Sequence, residues 1–449
     1  MICKSCRHCG LCSGFAPGGT ISISSELCRK NPFSCDSSLP PNHIGIAVDI
    51  GTTSIAAGAY TLRDGKPAGF AGQPNAQIPF GADVVSRISY SMEPGGLERL
   101  HGAVIRQIES LCRKLVMESH ERFLSRRQGR AELKRIVLAG NTAMECFALG
   151  ISAAPLAQFP FSLPSEFGFS VEAKRLFGSD SPLCGADVYF APAVQSFVGG
   201  DTFCSMAACG FFDSGGTSRF LADIGTNCEL CVYSAASKEI VCTSTSAGPA
   251  FEGYGIECGI PSQEGAVYKV QLDGGKIKCF AAGGPEIRPR GICGTGLVSA
   301  AASLYKGGLI DGSGAFSCGE EKIVLADGIY LTQKDIRNFQ LAKSAVASAL
   351  CILSEEASCT SGTMYLAGGF GMFLDAQDAI DVGMIPQFLS VSPVSAGNAS
   401  LCGASLLLLD KKLCRDALSL ARSVRHIDLA QNRSFEKLFL QNLNFPRCF

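Results

Sequence analysis

The sequence predicts an α/β protein of two similar lobes, preceded by a short cysteine-rich segment. The stretch His43–Tyr60, HIGIAVDIGTTSIAAGAY, alternates apolar and small residues on either side of a tight turn, as two buried strands would. The same pattern recurs at Arg219–Tyr233, RFLADIGTNCELCVY. The chain has 449 residues, too many for a single core. The repeat therefore predicts a duplicated fold that binds a ligand between its halves.

The composition narrows the classes of partner and the cellular compartment that we expect for this protein. The net charge of −1 gives no basic surface for nucleic acid, and no apolar run has transmembrane length. The N-terminus lacks a signal-peptide core, so the 23 cysteines indicate a reducing compartment rather than a disulfide framework. We expect a cytoplasmic protein of an anaerobic organism, without nucleic-acid or membrane partners.

Residues 1–42 form the cysteine-rich segment, which is too polar to bury a core of its own. Its first four cysteines follow a CxxCxxCxxC spacing similar to the bacterial ferredoxin run, and two more come later: Cys3, Cys6, Cys9, Cys12, Cys28 and Cys35. Thiolates at this spacing can bind one iron–sulfur cluster, of the 4Fe-4S type in our interpretation. The alternative is a zinc knuckle that pairs two of the first four with Cys28 and Cys35.

The first predicted lobe, residues 43–215, begins with a candidate phosphate turn. Asp49 ends the first strand, where it could hold Mg²⁺ through water, and Gly51, Thr52 and Thr53 offer backbone N–H groups and hydroxyls to a phosphate. Helices are predicted near 81–88 and over 97–122, and strands at 135–138 and 188–192. Asp201 begins a later helix, either as a simple helix cap or as a carboxylate that orients metal or attacking water.

The second predicted lobe, residues 216–412, repeats these features. Asp223, Gly225, Thr226 and Asn227 occupy the matching turn, and Glu252 stands among glycines and small residues shortly after it. Gly294 opens an alanine-rich helix whose free N–H groups could hold an anion.

The end of the second lobe carries a glycine-rich loop. Thr332 and Asp335 predict a capping box for a helix that runs to about Ala357. A strand at 364–367 then leads into Gly368, Gly369 and Gly371, where backbone could lie flat against an adenine ring. A helix is predicted at 404–413, and residues 413–449 form an amphipathic tail.

Taken in order, these motifs resemble those of the reductive activators of corrinoid-dependent enzymes. The matching stretches are DIGTTS, GNTAM, DIGTNCE, AGPAFEGYGI, GICGTGL, TQKDIRNFQLAK and LAGGFGMFL, and the tail's NLNFP extends the likeness. The family belongs to the superfamily of acetate and sugar kinases, Hsp70 and actin. The resemblance implies a duplicated ribonuclease-H-like two-lobe fold with ATP and Mg²⁺ between the lobes.

The resemblance also assigns residues. Asp49, Gly51, Thr52 and Thr53 match the family's first phosphate loop. The second phosphate loop and the adenosine loop are matched by Asp223, Gly225, Thr226, Asn227, Gly368, Gly369 and Gly371. Position 228 departs from the family by carrying Cys in place of Gly, and the redox segment has about forty residues in place of a full ferredoxin domain.

The function implied is ATP-dependent reduction of Co(II) to Co(I) in a corrinoid protein or corrinoid-dependent methyltransferase, with electrons from a donor such as a ferredoxin. A homodimer is left open. Three alternatives stand beside it: an activator of another low-potential enzyme, a zinc-stabilised ATP-binding regulator or chaperone, and a small-molecule kinase.

Overall fold

The computed structural model describes residues 14–16, 19–21, 35, 37–125, 127–213, 215–317 and 319–446. Its strands are β1 (Gly14–Ala16), β2 (Gly19–Ile21), β3 (His43–Ile50), β4 (Ser54–Thr61), β5 (Pro67–Pro74), β6 (Glu132–Gly140), β7 (Ser170–Glu172), β8 (Asp187–Phe190), β9 (Arg219–Ile224), β10 (Asn227–Tyr233), β11 (Ile240–Ser246), β12 (Ala266–Asp273), β13 (Lys276–Ala281), β14 (Gly291–Ile292), β15 (Lys322–Ala326), β16 (Ile329–Thr332), β17 (Ser361–Ala367), β18 (Ser390–Gly397) and β19 (Arg425–His426). Its α-helices are α1 (Val84–Ser91), α2 (Gly96–Ser125), α3 (Thr142–Leu149), α4 (Ala173–Phe177), α5 (Gly200–Ala208), α6 (Gly294–Lys306), α7 (Gln333–Glu356), α8 (Gly368–Phe373), α9 (Ala376–Asp381), α10 (Ala399–Leu409), α11 (Lys411–Ser423) and α12 (Phe435–Asn442).

The chain divides into two compact units. Among the described residues from 35 onward, the first contains residues 35–213 and 398–424, and the second contains residues 215–397 and 425–446. Each unit therefore combines segments that are not adjacent in the sequence. The domain boundaries expected from the sequence stay a prediction.

The first unit is built on a six-stranded sheet in the order β5-β4-β3-β6-β8-β7. Strand β3 pairs antiparallel with β4 and parallel with β6, and β6 pairs parallel with β8. Almost every residue of His43–Ile50 and Ser54–Thr61 is buried, as expected for strands covered on both faces in the middle of the unit. The predicted strand–turn–strand is therefore confirmed.

The second unit repeats this arrangement with β18-β17-β9-β10-β11-β19. Here β9 pairs antiparallel with β10 and parallel with β17, and β17 pairs parallel with β18. In both units, the first strand along the chain has the second on one side and the fourth on the other. The predicted duplicated ribonuclease-H-like fold is confirmed by this shared topology.

The two long helices predicted from the sequence, one from its apolar periodicity and one from its capping box, are both present. Helix α2 buries one stripe of residues against its sheet, and α7 is closed at its start by the predicted box, with reciprocal bonds between Thr332 and Asp335. The helix predicted at 404–413 differs, because the chain forms α10 and α11 with a break at Asp410. The Asp410 side chain accepts from the N–H groups of Lys412 and Leu413, so it caps a new helix.

Across the described ranges, no helix has both the length and the apolar character needed to cross a bilayer.

Candidate functional site

The first candidate phosphate turn lies between β3 and β4. Gly51 is required there because a Cβ at this position would lie 2.7 Å from the backbone oxygen of Ser54. Asp49 sits one residue before the end of β3, between Ala56 on β4 and Ala139 on β6. The turn is thus placed at the end of the central strand of the unit.

Three consecutive carbonyls of this turn are held from behind by the protein. Asn75 donates its Nδ2 to the Gly51 oxygen at 2.8 Å and its backbone N–H to the Thr53 oxygen at 2.9 Å. Arg87, whose side chain is fully buried, donates to the Thr52 oxygen at 2.6 Å. In a trans peptide the next N–H points away from the carbonyl. The N–H groups of Thr52 and Thr53 therefore point away from the groups that hold the turn, as a phosphate cradle requires.

The GNTAM turn supports the same loop from the side. Asn141 donates its Nδ2 to the Thr52 hydroxyl at 3.1 Å, and its Oδ1 accepts from the N–H of Met144 as the N-cap of α3. The cap fixes which end of the amide faces Thr52.

Asp49 accepts hydrogen bonds from two residues about 350 positions further along the chain. Asn398 Nδ2 donates to Oδ2 at 2.8 Å, and the Ser400 hydroxyl donates to Oδ1 at 2.7 Å. Burial raises the pKa of the Asp49 carboxyl, and these two donors act in the opposite direction because they stabilise the ionised form.

The second phosphate turn lies between β9 and β10. Two backbone N–H groups, of Ala247 and Gly248, donate to the Thr226 oxygen at 3.1 Å each. The Thr226 hydroxyl donates to Glu252 Oε2 at 2.8 Å, and a Cβ on Gly225 would lie 3.5 Å from Glu252 Oε1. Glu252 is thus part of this turn's surroundings, where the sequence placed it only as a nearby carboxylate.

The glycines predicted to contact adenosine lie at the start of α8, beside the second candidate turn. Gly368 has φ +73°, and a Cβ there would lie 2.6 Å from Asp223 Oδ1, so its backbone is against that carboxylate. A Cβ on Gly369 would have no neighbouring atom within 4 Å, whereas a Cβ on Gly371 would meet the Leu366 backbone at 2.7 Å.

Two further residues singled out in the sequence, Gly294 and Cys228, lie in closely packed surroundings. A Cβ on Gly294 would lie 1.8 Å from the Phe251 oxygen, so close packing alone requires glycine there. Cys228, where the family has Gly, is buried in the core of the second unit, and its Sγ lies 3.5 Å from the Gly225 oxygen.

Asp201 lies in the first turn of α5, next to a buried carboxylate that the sequence reasoning missed. Its Oδ1 accepts from the Thr202 N–H at 2.7 Å. Glu145, on α3, has no exposed surface, and a Cβ on Gly200 would lie 2.5 Å from its Oε1. Burial, and secondarily the charge of Asp201, raise the Glu145 pKa well above its usual range. The pair puts two carboxyl groups at one end of the first unit's sheet.

The predicted cluster ligands fall mainly outside the described residues: Cys3, Cys6, Cys9, Cys12 and Cys28 all lie there. Cys35 is described and partly buried against apolar residues of the first unit. Its pKa is raised by burial first, and then by Asp64 and Asp410. Within the described ranges, no group of three or more His, Cys, Asp or Glu side chains is arranged to hold a metal ion. The cluster and its ligand set stay a prediction.

The residues that the sequence did not reveal support the first turn and Asp49, or lie beside Asp201: Asn75, Arg87, Asn141, Glu145, Asn398 and Ser400. A signal existed for Asn141, which lies in a recognised motif, and for Glu145, a charged residue inside an otherwise apolar helix start. The other four are single polar residues in unremarkable surroundings, and their roles come from contacts distant in sequence.

Comparison with known proteins gives the family. The model described as the C-terminal domain of RACo, the ASKHA domain, matches residues 218–448, and that of the RACo middle region matches residues 44–214.

Two relatives and one solved structure agree with it. The corrinoid activation enzyme RamQ of Eubacterium limosum is 31% identical over 438 residues, covering 89% of this chain and 70% of RamQ. A Co(II) methylated amine-specific corrinoid protein reductase of Methanosarcina barkeri is 24% identical, covering 89% of this chain and 77% of its own. The solved structure of a reductive activator for a corrinoid, iron-sulfur protein superposes with a TM-score of 0.73 at 31% identity, covering 91% of this chain and 67% of the other. This chain therefore belongs to the RACo family of reductive activators of corrinoid proteins, which carry an ASKHA domain.

Proposed function

We propose that this protein hydrolyses ATP to drive one-electron reduction of Co(II) to Co(I) in a corrinoid protein or corrinoid-dependent methyltransferase. The observation that carries the proposal is the pair of matching Asp-x-Gly-Thr turns at the central strands of two matching sheets, in a chain of this family. Cobalt reduction at very low potential needs an input of free energy, and unequal binding of nucleotide to two conformations can supply it.

Mg-ATP fits the donors of the two turns. Mg²⁺ usually keeps several waters and is bound through one or two carboxylates together with substrate phosphates, rather than by a cage of protein ligands. Asp49 and Asp223 offer one carboxylate each. The carbonyl oxygens of Gly51, Thr52 and Thr226 accept hydrogen bonds from the protein. The neighbouring backbone N–H groups are therefore directed to the opposite side, where they can bind phosphate oxygens.

The remaining predicted residues are assigned to adenosine binding and to positioning of the attacking water. Gly368 and Gly369 give the adenosine close access to backbone at the start of α8. Asp201 or Glu252 orients the attacking water. Asp201 lies at the start of α5, and Glu252 lies beside the second turn. The Thr226 hydroxyl binds Oε2 of Glu252, which favours Glu252 for this role because Oε1 can then face the water.

The redox half of the proposal rests on the N-terminal segment, residues 1–42. Cys3, Cys6, Cys9 and Cys12, with Cys28 or Cys35 as further candidates, hold a 4Fe-4S cluster that receives an electron from a donor such as a ferredoxin and passes it to cobalt. We propose a cytoplasmic location, where a low-potential donor and reduced thiols are available. The lobes proposed at residues 43–215 and 216–412, and the tail at 413–449, carry the ATPase part.

The ATPase part is tested with Asp223→Ala. Loss of a charge that orients the metal should lower kcat by about a hundredfold. Asp327→Ala is the matched control, because this carboxylate of the second unit is exposed and pairs on the surface with Arg288. ATP hydrolysis by Asp223→Ala at the rate of the control would contradict the assignment.

The redox part is tested with full-length protein prepared without oxygen. Iron, sulfide and zinc are measured first, and Co(I) absorbance of a corrinoid protein is then followed with reduced ferredoxin, with and without ATP. We expect ATP-dependent Co(I) formation that Cys6→Ser abolishes while ATP hydrolysis continues. A zinc-loaded, colourless protein that hydrolyses ATP would instead favour the regulator.

A further inference from the structure

Asp49 is held by residues that lie about 350 positions further along the chain. Asn398 and Ser400 each bond a different oxygen of its carboxylate, at 2.8 and 2.7 Å. Both donors are 7% exposed, so water competes little for the carboxylate from that side. These contacts lie within the first unit, to which residues 398–424 belong.

The direction of the Asn398 amide is fixed by a second bond. Its Oδ1 accepts from the Leu401 N–H at 2.7 Å as the N-cap of α10. With the oxygen committed to the cap, the amide nitrogen must face Asp49. The chain enters this position through Gly397, whose φ of +62° turns the backbone out of β18. One residue therefore both begins a helix and orients the aspartate.

A carboxylate has about four lone-pair sites on its two oxygens. Two of them are taken by Asn398 and Ser400, which leaves one on each oxygen for the opposite side. We propose that Asn398 and Ser400 are positioning residues that hold Asp49 so that its remaining lone pairs face the hydrated Mg²⁺ of bound nucleotide. This inference rests on the proposed ATP-binding function, and it names residues from the far end of the chain as part of the first phosphate loop.

The Ser400 side chain is not needed to hold α10 in place, because other residues of the helix provide its packing. A Cβ on Gly403 would lie 1.8 Å from the Cys204 oxygen, so α10 and α5 are in backbone contact there. Leu401 and Leu407 are fully or almost fully buried on the same helix. Removal of one hydroxyl at Ser400 should therefore leave the fold in place.

The variants separate positioning from folding. Ser400→Ala removes one donor, and Asn398→Ser removes the amide donor while keeping a side chain that caps a helix well. Ser400→Thr keeps the hydroxyl and should restore function. Ser405→Ala is the matched control, because Ser405 lies on the same helix, is fully buried, and donates to the Cys402 oxygen rather than to Asp49.

The primary measurement is Mn²⁺ binding to the full-chain protein with ADP, followed by electron paramagnetic resonance, together with ADP affinity in the absence of metal. Loss of a group that orients a metal-binding carboxylate typically weakens metal binding by roughly tenfold or more. We expect that loss in Ser400→Ala and Asn398→Ser, wild-type binding in Ser400→Thr and Ser405→Ala, and unchanged metal-free ADP affinity in all four. Because Asp49 loses one donor in Ser400→Ala and Asn398→Ser, the melting temperature of these two variants should fall by about a few degrees while unfolding stays cooperative. The Mg²⁺ concentration for half-maximal ATP hydrolysis should rise in parallel.

Wild-type Mn²⁺ affinity in both donor variants would overturn the inference, and so would an equal loss of ADP affinity with and without metal. Failure of the wild-type protein to bind Mn²⁺ and ADP at all would instead contradict the proposed function itself.

Discussion

A buried lysine joins two stretches of sequence about one hundred residues apart, and its titration should be visible in the stability of the protein. Lys343, the last residue of TQKDIRNFQLAK, has no exposed surface and donates to the backbone oxygens of Asn442 at 2.6 Å and Asn444 at 2.8 Å. Both acceptors lie in the NLNFP stretch of the tail. Its Nζ also lies 5.3 Å from the centre of the Phe445 ring.

Burial lowers the pKa of Lys343 from 10.5 to about 7. Between these two values the unfolded chain binds a proton that the folded protein does not, so stability from this group rises with pH. The titration of a single group between these pKa values adds about 2 kcal/mol to the free energy of unfolding from pH 7 to pH 9. Lys343→Met removes this dependence while keeping most of the buried stem.

The assay is urea unfolding followed by circular dichroism at pH 7 and pH 9. The quantity compared is the difference between wild type and Lys343→Met at each pH, because the cysteine titrations are common to both proteins and cancel. Lys334→Met is the control, since Lys334 lies on the exposed side of the same helix. A wild-type-minus-variant difference that stays constant within about 0.5 kcal/mol between the two pH values, against an expected change of about 2, would refute the reasoning.

Three other predictions concern substitutions of residues near the candidate phosphate turns. Because the pKa of Glu145 is raised by burial, its contribution to stability falls as pH rises above 4.5, and Glu145→Gln should raise the melting temperature more at pH 8 than at pH 5. Gly368→Ala forces a side chain into φ +73° against Asp223, and should weaken ATP binding measured by calorimetry by about tenfold, given about 1–2 kcal/mol of strain. Arg87→Met frees the Thr52 carbonyl and should raise KM for ATP, whereas exposed Arg113→Met should leave it unchanged.

Elements of the fold could be predicted where the residues that determine them are close together in the sequence. The strands around Asp49 and Asp223 were predictable because alternation and a glycine turn are local signals. The capping box of α7 was predictable for the same reason. Helix α10 was placed five residues too late because its start is set by Asn398, whose cap is an isolated residue without periodicity around it.

The supports of the candidate site could not be predicted, since they are contacts between residues far apart in sequence. Asn398 and Asp49 are 349 positions apart, and Lys343 and Asn442 are 99 apart. A polar residue in a sequence gives no sign of its partner at such separations. The role of a buried arginine such as Arg87 is harder still to predict, because arginine in a short helix is usually exposed to solvent. In the structure, Arg87 instead donates to the Gly81 and Thr52 oxygens and to the Met144 sulfur.

The two candidate phosphate turns share the Asp-x-Gly-Thr sequence between two antiparallel strands but differ in the charges around them. Behind the first turn lies the buried guanidinium of Arg87, which stays positively charged at neutral pH because burial lowers its pKa only to about 10. Beside the second turn lie two carboxylates, Asp223 and Glu252. A cation behind a cradle of N–H groups favours phosphate oxygens directly, whereas a carboxylate beside the second turn can orient the attacking water. We therefore expect direct phosphate contacts at the first turn, in addition to the hydrated metal beside Asp49, and positioning of the attacking water at the second turn. Arg87→Met should then weaken metal-free ADP binding, and Glu252→Gln should lower kcat with nearly unchanged ADP affinity; the reverse pattern would contradict this division.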